Sequence, residues 1–225
     1  VTASLVVVTA PTAEPITRDE AKLHLRVTGT DDDAYIDGLI TAARVLEEKI
    51  QNRAFLTTTF RMQLDSFPDL PNATLKFFTP TYSVESYLAR AISLMSGPLR
   101  LFRSPCQSVT SIKYLDNNGV LQTLAQNPAP GLPGYIVDTD SEPARIAPAN
   151  NLPWPVTQAI QSAVQVLYIA GYGATGASVP ETTKHAIKLR IGQFYENRVP
   201  ISDKMTFPVA GLEQLEWIDR VYEIP

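Results

Sequence analysis

Cysteine is nearly missing from this 225-residue chain: Cys106 is the single one, which excludes an intrachain disulfide and any metal site built from clustered thiolates. It reads as a small apolar filler. Histidine is almost as scarce. His24 and His185 are the only two, both in segments that read as helices, and no serine stands in a G-x-S-x-G elbow. A nucleophilic triad is therefore not expected, and each histidine reads as a helix-surface or helix-seam residue. No apolar run approaches the ~18 residues of a membrane span. Residues 1–10 lack the basic leader and small-residue cleavage site of a signal peptide and read as a strand. No membrane association is expected, and the cytoplasm where the chain is made is its expected place. Basic clusters are missing too. With 19 Lys and Arg against 23 Asp and Glu, a net charge of -4, the chain does not look like a classical nucleic-acid binder, because neutralising phosphates takes clustered cations. The same balance suits a wall past which DNA slides.

What is present is enough chain for one sizeable core, or one core with a smaller satellite. Thr17 followed by Glu20 forms a capping box, which predicts a helix to about Arg26. Asp31, Asp32 and Asp33 place negative charge where a second helix would start, complementing its dipole. Ile36, Leu39, Ile40, Ala43, Leu46 and Ile50 then recur at helical spacing as one apolar stripe. Arg44 and Glu48 make an i,i+4 pair on what reads as the solvated face. Beyond Pro180, suited to a first turn, Ala186, Ile187, Ile191, Phe194 and Tyr195 form another buried stripe. Leu212, Leu215, Trp217, Ile218 and Val221 suggest a short terminal helix.

From residue 56 the period changes from 3.6 to 2, with Phe60, Met62 and Leu64 alternating with Arg61 and Gln63. Further strands are expected at 99–102, 109–115, 120–124, 134–137, 144–147 and 164–170, and a helix at 83–95. Most of the 18 prolines fall between residues 68 and 208, as short strands with irregular loops require. The predicted class is thus α+β: a small helical bundle, with helices near 17–26, 32–52, 180–198 and 211–221, and a large inserted antiparallel β portion containing the extra helix near 83–95. Residues 1–56 and 177–225 would form the helical core, and 57–176 the β-rich portion.

Three motifs invite a chemical reading. Asp116-Asn117-Asn118-Gly119 is rich in oxygen ligands, but a calcium loop of the EF-hand type needs Gly at its sixth position and Glu at its twelfth, where Leu121 and Asn127 stand. It reads as a hairpin turn. Gly171-Tyr172-Gly173-Ala174-Thr175-Gly176 matches G-x-G-x-x-G after a predicted strand. A dinucleotide site needs the helix to start inside that motif, and here it waits until about Pro180. Asp138, Asp140 and Glu142 could line up as ligands or as an acid-base pair, but beside Pro143 they read as a solvated loop. No catalytic residue, metal or cofactor is expected. Lys184, Lys188 and Arg190 form a modest basic patch, either solvated or facing DNA in a channel. Trp154, between two prolines, is a packing anchor or a partner contact, and Trp217 poses the same choice.

Several stretches, in the right order over nearly the whole chain, resemble the head-tail connector or head-completion family of long-tailed bacteriophages and gene transfer agents. They are Ile16-Thr17-Arg18-Asp19-Glu20-Ala21-Lys22-Leu23-His24-Leu25-Arg26-Val27, the acidic triplet with its following stripe, Ser104-Pro105-Cys106-Gln107-Ser108-Val109, and Tyr114-Leu115-Asp116 with Gly119. Ala144-Arg145-Ile146, Trp154-Pro155, Tyr168-Ile169-Ala170-Gly171-Tyr172-Gly173 and Tyr195-Glu196-Asn197-Arg198 complete the series. Residues 71–97 depart from it as an insertion, a candidate contact for a tail or neighbouring component.

The resemblance implies a structural virion protein at the head-tail interface, assembled in the bacterial host cytoplasm. It would form a ring, usually of twelve copies, that docks under the portal protein, extends the channel for passing double-stranded DNA, and meets a tail-side connector or tail-terminator protein. On that reading Phe207, Leu212, Leu215, Trp217, Ile218 and Tyr222 are the expected portal-docking residues, and Lys184, Lys188 and Arg190 the expected channel-facing basic ones. Two alternatives stay open: a tail-completion or tail-terminator ring, and a nucleotide-binding module using the Gly171 loop.

Overall fold

The structure, a computed structural model, describes residues 3–68 and 97–197 together with Leu212, Leu215, Glu216, Arg220 and Val221. The helix expected near 83–95 lies outside them. The fold is α+β, with helices α1 (Arg18–Leu25), α2 (Asp33–Gln51) and α3 (Glu181–Glu196). Its strands are β1 (Ala3–Thr9), β2 (Thr58–Leu64), β3 (Leu99–Arg100), β4 (Cys106–Leu115), β5 (Leu121–Gln126), β6 (Gly134–Asp138), β7 (Arg145–Pro148) and β8 (Val164–Ala170). Leu212, Leu215 and Glu216 are also helical. The chain divides into two compact units, one of Val1–Val8, Thr59–Phe102 and Cys106–Ile169, the other of Thr9–Thr58, Arg103–Pro105 and Ala170–Pro225.

In the helical unit α1 begins at the capping box: Thr17 Oγ1 accepts the Glu20 amide at 3.2 Å and Glu20 Oε2 accepts the Thr17 amide at 2.7 Å. It stops at Arg26, whose φ of 59° is left-handed. The acidic triplet fastens the start of α2 sideways. Asp33 pairs with Lys22 at 2.6 Å, and Asp32 accepts the Tyr195 hydroxyl of α3 at 2.5 Å. Ile16, Ala21, Ile36, Ile40, Ala43, Phe55, Leu56, Val179, Ile187 and Ile191 make the core of this unit.

Two expectations for α2 need correction. Its innermost positions are Ile36, Ile40, Ala43, Glu47 and Gln51, so past Ala43 the buried line carries polar residues, while Leu46 and Ile50 are only half-buried. Arg44 and Glu48 do not sit on a solvated face. Arg44 pairs with Glu14 at 2.7 Å and with Glu48 at 3.1 Å. Glu48 also accepts the Phe55 amide at 3.0 Å. Burial pushes the Glu48 carboxyl up, against the opposing pull of that amide and of Arg44.

The other unit holds one sheet in the order β1-β2-β8-β4-β5-β6-β7-β3. Strict alternation buries Phe60, Met62 and Leu64 of β2 and Val164, Val166, Tyr168 and Ala170 of β8, and the Phe60 and Tyr168 rings stack at 5.7 Å. β4 and β5 form the expected hairpin, Leu115 opposite Leu121. Gly119 supplies a φ of +75°, and Asp116 Oδ1 accepts the amides of Asn118 and Val120 at 2.9 and 3.0 Å.

The sheet is mixed, not purely antiparallel, because β5 and β6 run parallel. Parallel neighbours ordinarily need a long crossover. Here only Ala125 and Gln126 pair, with Gly134 and Tyr135, so the link need backtrack by only two residues. Gly134 makes the approach possible, since a Cβ there would stand 2.3 Å from the Ala125 carbonyl oxygen.

Candidate assembly surfaces

The residues that sequence reasoning marked for docking fall in the terminal segment. Phe207, Trp217, Ile218 and Tyr222 lie outside the described residues. Leu212 is buried and Leu215 half-buried. Between them and the helices runs a polar seam that the apolar-stripe reading missed. Arg190 Nε donates to Glu47 Oε1 at 2.9 Å, and its terminal nitrogen is ion-paired with Glu216. Gln51 Nε2 approaches Glu47 at 3.4 Å, Gln51 Oε1 has no hydrogen-bond partner among the described residues, and the Val221 amide donates to the Gln51 carbonyl at 2.9 Å. Burial, reinforced by the adjacent Glu47 carboxylate, pushes the Glu216 carboxyl up. The only sequence signal for this seam was Glu47 and Gln51 themselves, spaced i+4 and i+8 from Ala43 on the stripe.

The basic trio of α3 is neutralised inside the unit. Lys184 pairs with Glu181 at 2.8 Å, Lys188 stands 3.8 Å from Glu20, and Arg190 is held as above. His24 is an exposed residue at the rim of the contact between α1 and α3. Its ring lies 3.6 Å from where a Cβ of Gly192 in α3 would stand, and partial desolvation, followed by the neighbouring charges of His185 and Lys188, keeps its pKa below that of an ordinary imidazole.

The glycine loop serves packing. Gly171 has a φ of +128°, and a Cβ there would lie 2.4 Å from the Leu56 carbonyl, as one on Gly176 would lie 2.3 Å from the Pro15 carbonyl oxygen. The Gly171 and Tyr172 amides donate to Pro105 and Phe55 carbonyls at 2.9 and 3.2 Å. Amides so committed do not point at a phosphate, and α3 begins only at Glu181. The glycines let backbone meet backbone.

The remaining motifs are also engaged locally. Asp138 pairs with Arg145 at 2.7 Å and accepts the Asp140 and Ser141 amides, and the Arg145 hydrogen bond leads in holding its carboxyl below the usual range. Among the described residues no group of three or more His, Cys, Asp or Glu could hold a metal ion, and no helix is long and apolar enough to cross a membrane. Trp154 is an anchor. Its ring stacks on Phe67 at 4.6 Å and its Nε1 donates to the Gly97 carbonyl at 3.0 Å. Cys106 is buried, and burial pushes its thiol up to about 11.

One unit of helices and one holding an eight-stranded mixed sheet define a fold of the α+β class. The same fold recurs in gene transfer agent (GTA) particles. A chain from the neck of an empty GTA particle computed with C6 symmetry superposes with a TM-score of 0.71 at 21% identity, covering 99% of this chain and 97% of that one. A chain from the virion of a native GTA particle gives 0.68 at 22%, covering 98% and 97%. One from the neck of a native GTA particle computed with C12 symmetry gives 0.67 at 22%, covering 99% and 97%. At these identities what is shared is the fold. No family model and no curated protein matches the chain.

Proposed function

We propose that this chain is a structural virion protein of the head-tail neck: an adaptor that forms a ring beneath the portal, extends the DNA channel and joins head to tail. The observation that carries this reading is the end-to-end superposition on a chain of a GTA neck, which spans both units and leaves almost none of either chain unmatched. The order of the sequence motifs supports it independently. A dodecamer is in keeping with the C12 symmetry of one such neck, and a closed ring multiplies one modest contact around an axis.

On this reading the terminal segment docks on the portal through Phe207, Leu215, Trp217, Ile218 and Tyr222, with Leu212 as its inward anchor. A seam of ion pairs suits such a segment, since carboxylate and guanidinium can be resolvated when it shifts, whereas an apolar seam would be left bare. The Lys184 and Lys188 side of α3 borders the DNA path with its charge already matched by Glu181 and Glu20, so the phosphate backbone passes without being held, while Arg190, held in the seam by Glu47 and Glu216, is withdrawn from the expected channel-facing set.

The test is electron microscopy of this protein mixed with the portal ring of its own particle. A coaxial ring added under the portal is expected, and Trp217→Ala with Tyr222→Ala should abolish it while leaving the circular dichroism spectrum unchanged. Binding to tail tubes but not to the portal would replace the adaptor reading with a tail-terminator one.

A further inference from the structure

β1 is the end strand of the sheet, and Val6, Val7 and Val8 on it are 42%, 51% and 49% exposed. Successive side chains on a strand point to opposite faces, so three consecutive bare valines mean that neither face of β1 is covered. Its outer edge carries no further strand among the described residues. Edge strands are ordinarily protected by charge, proline or shortness. The seven residues of β1, ASLVVVT, have none of these.

Four strands separate β1 from β6 in the sheet order. There a second apolar surface is open: a hollow of about 370 Å³ lined by Pro98, Ile136, Val137, Asp138, Arg145 and Ala147. Ile136 is 49% exposed, and Leu132, just before β6, is 56% exposed. The charges on the hollow are mutually cancelled, Asp138 against Arg145, so an uncharged strand meets no unpaired ion there. One copy thus carries two different apolar surfaces on one sheet. A head-to-tail contact, the kind that closes a ring, uses two different patches of the same chain, whereas a two-fold contact uses one patch twice.

We propose that β1 of one copy packs its valines into the β6–β7 hollow of the next copy, and that this contact, repeated, is the lateral joint of the ring. The proposal rests on the ring reading above and names its interface. The occupant is a second copy because an uncharged valine strand offers nothing to nucleic acid, and because the structural neighbours belong to cyclic assemblies.

The test is crosslinking in assembled portal complexes. Val7→Cys with Ile136→Cys, in a Cys106→Ser background, is treated with a short bismaleimide and run under denaturing conditions. A ladder of multimers is expected from the double variant, and none from either single-cysteine variant. Val7→Asp, at an exposed position, should keep its melting temperature but yield at least tenfold fewer portal-bound rings. Rings visible by microscopy without a ladder, or rings that survive Val7→Asp, overturn the joint while leaving the adaptor reading intact. Failure of the unaltered protein to form any ring overturns both.

Discussion

At the scale of single residues the most consequential position is Arg190. Its Nε is held at 2.9 Å by Glu47, which is fully buried. Arg190 is shared by Glu47 and Glu216, so Arg190→Ala strands two carboxylates at once and is expected to cost about 3–5 kcal/mol in urea unfolding, whereas Glu47→Ala leaves Arg190 its Glu216 partner and should cost less. Replacing Glu47, Arg190 and Glu216 together with Leu, Met and Leu should come within about 1 kcal/mol of the parent protein, since an apolar cluster of similar volume needs no compensating charge. A triple variant as unstable as Arg190→Ala would show that the seam matters for packing and not for charge. Two glycines allow a cleaner comparison. Gly131 and Gly171 both have positive φ, but a Cβ on Gly131 would meet open space while one on Gly171 would strike the Leu56 backbone. Gly131→Ala should cost about 1–2 kcal/mol from backbone strain alone, and Gly171→Ala about 3 kcal/mol or more, because strain and overpacking combine.

At the scale of elements, the β4–β5 turn offers a pH-dependent test. Bonds from Gln122 first, then from the Val120 and Asn118 amides, hold the Asp116 carboxyl below its ordinary value. A depressed folded-state value contributes stability above the unfolded value, and that contribution is lost as pH falls through the folded one. The melting temperature of the parent protein should therefore exceed that of Asp116→Asn at neutral pH, and the gap should narrow below about pH 4. A gap that is constant with pH would mean that the ionised carboxylate is immaterial to the turn. This turn was legible in the sequence because its signal is local, as was the capping box at Thr17. The parallel step between β5 and β6 was not, since strand direction depends on where a loop returns and no composition encodes it. The burial of Glu47 was hidden for a related reason. Its partner Arg190 is 143 residues away, and the apolar stripe read alone gives that place to Leu46. As for the candidate surfaces, the proposed docking role of the terminal segment rests on family resemblance alone, while the exposed valines of β1 were visible as letters but not as exposed faces.

At the scale of the whole molecule, the committed Gly171 and Tyr172 amides and the late start of α3 predict inertness towards nucleotides. A ligand present at a hundred times its dissociation constant would contribute about 2.7 kcal/mol to the folded state. Neither ATP nor NAD at millimolar concentration should move the melting temperature, and a clear upward shift with either would reopen the nucleotide-binding reading. The division into units has a different consequence. The backbone passes from one unit to the other after Val8, Thr58, Phe102, Pro105 and Ile169, five crossings in all. The units are therefore joined covalently five times over, so a proteolytic nick in any one crossing leaves four intact, where a nick in a single linker would part them.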